Sequence, residues 1–387
     1  MGLSQLKENG HRFFHRYNHY GHHSPNLSEW RWENPEDFLS VWDVKVFSTN
    51  YLRTIMSVQS FLDGMLGANC YTPSPQRTLN PDIFEEARVP NHAWRGKSFG
   101  KDELVKVRVR ELSRDPLNAF DRNPDLMADL VDEVISSEDF MLRDGAAAPL
   151  AARLANILPG LVRPRKSDFS SRAPSGINWV EAADHFVCRS SHGMDLARFS
   201  DYEHDVSVEQ MLCSLSHQTL MHLSWRFRKW YQNKRLLAAI AAPPLREITE
   251  SLKVAPSLNT EEKRPFTIYS CHDITILGLL YGIGADFLAD DTSADWRFWP
   301  EYGSSLVFEL VRLHKEGPVD SHSHVVRVLL NGKPIRSVEF DAASKRKMPS
   351  GRGPEQMMWV QDFEKMVTHL ENDGGHDYAM LLGGSAK

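Results

Sequence analysis

Two spacings of apolar residues divide this chain. Asp43-Val44-Lys45-Val46-Phe47 alternates with period two, as a half-buried strand does, and closes at Ser48-Thr49-Asn50, residue types that cap helices. Leu52, Ile55, Met56, Phe61, Leu62 and Met65 then recur at helical spacing between Tyr51 and Leu66, so the pattern predicts a strand–turn–helix unit. A helix from Leu3 to about Tyr17 precedes it and breaks at Gly21 and Pro25. Between Ala68 and about Gly100 periodicity is lost and Pro and Asn accumulate, which reads as loop; Val105 to Arg110 alternates again. From Pro124 to about Leu245 the spacing is nearly all helical, over Leu126–Ile135, Ala151–Leu158, Val208–Leu220 and Arg226–Ile240, with a Pro/Ser-rich break from Arg163 to Gly176.

Strand character returns at Phe266-Thr267-Ile268-Tyr269-Ser270 and again over Ser305–Leu310. Val325–Leu330 leads through Asn331-Gly332 into Pro334–Phe340, and Asn-Gly between two apolar runs is a strong hairpin signal. The pattern therefore describes an α/β core in two sequence-separated parts with a helical block between them. The predicted units are residues 1–115 (first part of the core), 116–250 (helical cap insertion) and 251–387 (second part of the core).

Composition narrows the class without changing the layout. Of 387 residues, 41% are apolar and 25% charged, which fits a globular protein and argues against disorder. A net charge of -6 leaves no broad basic surface for nucleic acid. No apolar run approaches the length of a membrane span, so no transmembrane segment is expected. The opening Met-Gly-Leu-Ser-Gln-Leu has neither a signal-peptide pattern nor the Ser or Thr of a myristoylation start, and the compartment stays open. Cys70, Cys188, Cys213 and Cys271 lack C-x-x-C spacing, so neither a zinc ribbon nor a redox motif is expected.

Candidate chemistry gathers at the ends of predicted strands. Cys271-His272-Asp273 ends one strand and opens an apolar helix, at the carboxyl edge where open α/β sheets hold ligands. A carboxylate there is favoured in its charged form by the helix terminus, and a neighbouring phosphate dianion pushes its pKa back up, which suits a general acid. The plain alternative is a capping Asp beside a buried imidazole. Ser48-Thr49-Asn50-Tyr51-Leu52-Arg53-Thr54 offers free amides and an arginine fork suited to phosphate oxygens, or a capped helix with a surface ion pair. Trp299-Pro300-Glu301-Tyr302-Gly303-Ser304-Ser305, taken alone, is a loop entering a strand with no assigned function.

Other constellations carry less. His11, His15 and His19, with His22 and His23 beyond, lack the carboxylate of a zinc helix and read as a solvated face, as do His322 and His324. Ser191-His192-Gly193 lies in the helical block, away from strand ends, and makes a poor nucleophile site. Arg226-Phe227-Arg228-Lys229-Trp230 is too short for a nucleic-acid patch and is expected to be a solvated helix face.

As a set, Ser48-Thr49-x-x-x-Arg53-Thr54 with Ser57, then a distant strand into His272-Asp273, then Pro300-x-x-Gly303-Ser304 into Phe308-Glu309-Leu310, resembles the histidine acid phosphatases. This is branch 2 of the histidine phosphatase superfamily, and the detail is most similar to its lysophosphatidic acid phosphatase-like members. The resemblance runs from Gly2 to about Phe363. It implies a phosphoglycerate-mutase-like three-layer α/β/α core with a helical cap, and hydrolysis of small-molecule phosphate monoesters through a phosphohistidine intermediate. No metal or organic cofactor is implied. By motif position, Arg53 and His272 would bind the phosphate, and Asp273 would donate the proton to the leaving alcohol. A phosphoglycerate mutase-type transferase fits less well, given the long helical block and the His-Asp pair.

The chain departs from that pattern at its start. The family's nucleophile lies in an R-H-G-x-R-x-P motif that these residues do not contain; His19-Tyr20-Gly21-His22-His23-Ser24-Pro25 keeps only Gly and Pro at matching offsets. Gly2-x-x-Gln5, Gly10 and Arg16-Tyr17 resemble the segment downstream of that motif, so the nucleophile, two pocket arginines and the first core strand are expected to lie ahead of Met1. Any targeting segment would lie there too, and the sequence upstream of Met1 is the observation that decides it. The expectation is an inactive, poorly stable chain of phosphatase type. The alternative is a non-catalytic relative that binds phosphoanions or a protein partner.

Overall fold

The computed structural model describes residues 2–18, 35–67, 71–72, 105–158, 177–194, 196, 206–254, 262–289, 299–312, 324–337 and 357–375. The chain opens with helix α1 (Gly2–Asn18), then α2 (Pro35–Val41), strand β1 (Trp42–Ser48) and helix α3 (Leu52–Leu66). The two long helices pack backbone against backbone. A Cβ on Gly10 would lie 1.9 Å from the Phe61 carbonyl oxygen, and one on Gly64 1.8 Å from that of Lys7, so glycine is required at both contacts. The predicted cap of α3 differs in detail. Tyr51 occupies the N-cap without a side-chain bond. The Ser48 and Thr49 hydroxyls turn instead toward Thr54 Oγ1, at 3.2 and 2.9 Å.

After β2 (Tyr71–Thr72) and β3 (Val105–Val109) the chain is helical, through α4 (Ala119–Arg122), α5 (Pro124–Ile135), α6 (Glu138–Ala146), α7 (Ala148–Ile157), α8 (Trp179–Ser191), α9 (Val206–Gln232) and α10 (Lys234–Val254). The break between α9 and α10 falls at Asn233, whose side chain accepts the Leu236 amide at 3.0 Å and caps α10. Periodicity alone places that break about ten residues earlier, because both flanks are apolar. The helix also continues through Pro243 and Pro244, both buried. The Pro/Ser-rich break from 163 to 176 lies outside the described residues.

Strand β4 (Arg264–Ser270) leads into α11 (Asp273–Gly282) and α12 (Asp286–Ala289). Then come β5 (Leu306–Arg312), β6 (His324–Leu330), β7 (Lys333–Pro334), β8 (Met357–Trp359) and α13 (Val360–Asp373). The Asn331-Gly332 turn forms as its sequence predicts, with both residues at positive φ, 50° and 79°. Its second strand is shorter than the pattern implies. Lys333 and Pro334 pair with β6, the Ile335 amide adds one bond to the Val328 carbonyl at 3.0 Å, and Ser337 instead bridges Ala285. Residues 338–340 lie outside the described residues.

The strands form two sheets. One runs β2-β3-β1-β4, all parallel; the other joins β5, β6 and β7 with β8 on β6, all antiparallel. Phe14 and Tyr17 of α1 and Val58 and Leu62 of α3 close over Val46 and Val107 in one core. On the opposite face Tyr269 of β4 donates to Glu247 of α10 at 2.8 Å, completing three layers. A second, larger core joins the helical block to α11, α13 and β6.

The two sheets face one another along β4 and β5. Neither edge has a strand partner among the described residues. Phe266, Ile268 and Val307 pack on the same core, yet they are only partly buried, whereas Val325, Val326 and Val328 of β6 are fully so. Tyr17 spans the two edges, its ring 5.5 Å from that of Phe266 and its hydroxyl donating to Glu309 at 2.7 Å.

Candidate active site

Strands β1 and β4 run parallel in register, with Ser48 opposite Ser270, so whatever follows one strand meets whatever follows the other. The Thr49 amide donates to the Ser270 carbonyl at 3.1 Å, and the Ser270 hydroxyl to the Thr54 carbonyl at 2.7 Å. This lacing fixes the first turn of α3 against the first turn of α11. It brings Arg53 and His272, 219 residues apart in sequence, to 3.1 Å between Nη2 and Nδ1.

The contacts of His272 define its protonation. Nδ1 faces a guanidinium, which can only donate, so Nδ1 accepts. Nε2 lies 3.5 Å from Thr49 Oγ1, whose own proton goes to Thr54, so Nε2 carries the hydrogen. The ring is thus a neutral Nε2–H imidazole, with the edge of Tyr51 against it at 4.8 Å. Burial first, and then the Arg53 charge, hold its pKa down to about 4. Arg53 itself is exposed and lies over the Tyr51 ring at 5.1 Å. Tyr51 in turn donates to Asp121 of α4, tying the helical block to the mouth of the site.

Asp273 opens α11. One carboxylate oxygen accepts the Ile274 amide at 2.8 Å, and the other accepts the Trp299 indole N–H at 3.0 Å. Burial raises its pKa above the usual carboxylate range, against the lowering effects of the Ile274 amide, Trp299 and the Arg53 charge. Such a carboxyl retains its proton closer to neutral pH than an exposed one, which is what an acid catalyst needs. Cys271 beside it is a buried thiol whose pKa is pushed up to about 12, so it is not a thiolate nucleophile.

Sequence reasoning gave Trp299 and its loop no role, yet Trp299 holds the Asp273 carboxylate. A Trp and a Tyr three residues apart just ahead of a strand was the available signal. It also passed over α8, where Cys188 Sγ lies 2.8 Å from the Tyr302 hydroxyl and brings the helical block against that loop. The predicted solvated face at Arg226–Trp230 is instead core. Arg226 is 2% exposed, and Arg228 and Trp230 are also buried. Burial is tolerated because Arg226 pairs with Asp144 and lies over the Phe140 ring at 5.0 Å. His11 and His15 meet on the exposed face of α1, at 3.2 Å, and the His15 ring also lies 5.8 Å from that of Phe14; His19, His22, His23 and His322 lie outside the described residues. No cluster of three metal-ligating side chains occurs among the described residues. Ser191 and His192 sit at the exposed end of α8.

The family model of the histidine phosphatase superfamily (branch 2) matches residues 1–331. The chain belongs to that superfamily. Phosphatase-type hydrolysis of phosphate esters is accordingly the chemistry of its family. Solved structures similar to it are phytases. That of Citrobacter braakii is 13% identical with a TM-score of 0.46, over 95% of this chain and 86% of that one. The Klebsiella sp. ASR1 phytase is 13% identical with a TM-score of 0.43, over 96% and 84%. The apo form of the Hafnia alvei phytase is 13% identical with a TM-score of 0.45, over 95% and 86%. No curated protein matches the chain. Among the described residues, no helix is long and apolar enough to cross a membrane.

Proposed function

We propose that the cleft at the ends of β1 and β4 binds a phosphate monoester and carries the acid half of a phosphohistidine hydrolase. The observation behind this reading is the convergence of Arg53, His272 and Asp273 at one sheet edge. An incoming phosphate dianion competes with His272 for the exposed Arg53 fork, which offers paired N–H donors. Freed from that contact, the His272 ring becomes a second group facing the phosphate. In the first step a histidine nitrogen bonds to phosphorus, the ester P–O bond breaks, and the Asp273 proton passes to the leaving alcohol. In the second, water displaces the histidine and returns a proton to Asp273. The helical stretch 116–250 acts as the cap over this cleft.

In this reading the attacking histidine belongs to an R-H-G sequence, and none occurs among these 387 residues. In this reading it sits on a strand in the gap between β4 and β5, whose facing edges have no strand partner among the described residues. The test pairs binding with turnover. We expect this chain to bind phosphate monoesters by calorimetry, and Arg53→Ala to weaken that binding about tenfold or more. We expect no p-nitrophenyl phosphate hydrolysis above background. Robust turnover that disappears in Asp273→Asn would overturn the missing nucleophile, and unchanged binding in Arg53→Ala would overturn the site.

The absent motif favours a second reading, a phosphoanion-binding relative with no catalysis. It gives the same binding, but restoring a strand that ends in Arg-His-Gly would then yield no turnover.

A further inference from the structure

We propose that Asp184 on α8 is a specificity residue that selects phosphate monoesters whose alcohol part carries an ammonium group and rejects those with a second anionic group. This deepens the phosphate-ester reading above and rests on it. The argument begins with placement. Cys188 touches Tyr302, and Asp184 lies one helical turn before Cys188, so both share the face of α8 turned toward the 299–303 segment. That segment holds Asp273 through the Trp299 indole. Asp184 therefore stands over the acid, on the side where the leaving alcohol must lie if the phosphate occupies Arg53 and His272.

Its electrostatics agree with that position. Partial enclosure and then the Asp273 charge raise the Asp184 pKa, while Arg53 lowers it, so it senses both ends of the site. The carboxylate is solvent-accessible and makes no hydrogen bond or salt bridge among the described residues, which leaves it able to accept from a ligand. Glu181, one turn earlier on α8, adds to the negative potential. With Asp273 protonated, Arg53 faces the phosphate and Asp184 faces the alcohol. A zwitterionic amino-alcohol phosphate matches both charges, whereas a bisphosphate places its second phosphate against a carboxylate.

The experiment is calorimetric titration of the chain with phosphoethanolamine, glycerol 3-phosphate and fructose 1,6-bisphosphate. It is run on the unaltered protein, Asp184→Asn, Asp184→Lys and Arg53→Ala. Asp184 is exposed, and unchanged circular dichroism and melting verify that its variants fold. We expect the unaltered protein to bind phosphoethanolamine most tightly and the bisphosphate most weakly. Asp184→Asn should narrow that spread by about fivefold, the scale of a partly screened charge pair, and Asp184→Lys should invert it. If Arg53→Ala weakens all three ligands while the Asp184 variants leave the order unchanged, the inference on Asp184 fails and the phosphate-ester site stands. If no ester binds, or Arg53→Ala binds as before, both fail together.

Discussion

At the scale of single residues, the surroundings of His272 and Asp273 hold both away from their ordinary pKa values. Asp273 is the informative case, because its pKa reflects opposed influences: burial raises it, and the Trp299 N–H is one of the groups that lower it. Trp299→Phe keeps an aromatic ring against Phe227, now 5.0 Å away, and removes only the donor. The Asp273 carboxyl should then titrate at higher pH than in the unaltered protein, followed by carbon-detected NMR. An unchanged or lower midpoint would mean that the indole bond does not hold the acid. The His-Asp pair and Arg53 were legible in sequence because each follows an apolar run that must be a strand. Trp299 and Asp184 were not. What gives each its importance is a neighbour 26 residues away in one case and a helix–loop contact in the other, neither of which leaves a local pattern.

At the scale of elements, the same contrast recurs. The strands were legible from alternation and the hairpin from Asn331-Gly332. The cap of α3 was misread because two of three consecutive capping residues, Ser48 and Thr49, turn their hydroxyls toward Thr54 instead. No periodicity reports how closely two helices approach, so Gly10 and Gly64 could not be read as a backbone contact. Gly10→Ala should destabilise the fold by about 3 kcal/mol or more, because the added methyl meets backbone that cannot turn aside. Gly145→Ala, in α6 with nothing within 4 Å of the added carbon, should instead gain about 0.5 kcal/mol from helix propensity. Urea unfolding of the two variants separates close packing from helix propensity. The edges of β4 and β5, without a strand partner among the described residues, give another expectation at this scale. Their amides that point away from the paired neighbour should exchange with deuterium well before those of β1, which is paired on both sides.

For the whole molecule, pH joins the site to stability, and the sign follows from which form the fold favours. The fold keeps His272 neutral, with its pKa near 4 against 6.5 for a free imidazole. Above pH 6.5 the ring is neutral in both states, so its contribution to stability is fully present there. As pH falls, the unfolded chain takes up the proton first, and the contribution drains away through the window from 6.5 down to 4. His222, also depressed by burial, acts in the same direction beside Asp144. Asp273 and Asp115 act oppositely, since carboxyls raised by burial favour the protonated fold at low pH. A raw stability curve therefore mixes terms of both signs, and a difference between two proteins isolates one of them. The stability of the unaltered protein minus that of His272→Gln should fall by about 3 kcal/mol between pH 7 and pH 4, measured by urea unfolding at each pH. A difference that stays flat would mean that His272 takes up its proton in the fold as readily as in the unfolded chain. Arg53 would then not be donating to its Nδ1, and the arginine would stand free for phosphate before any ligand arrives.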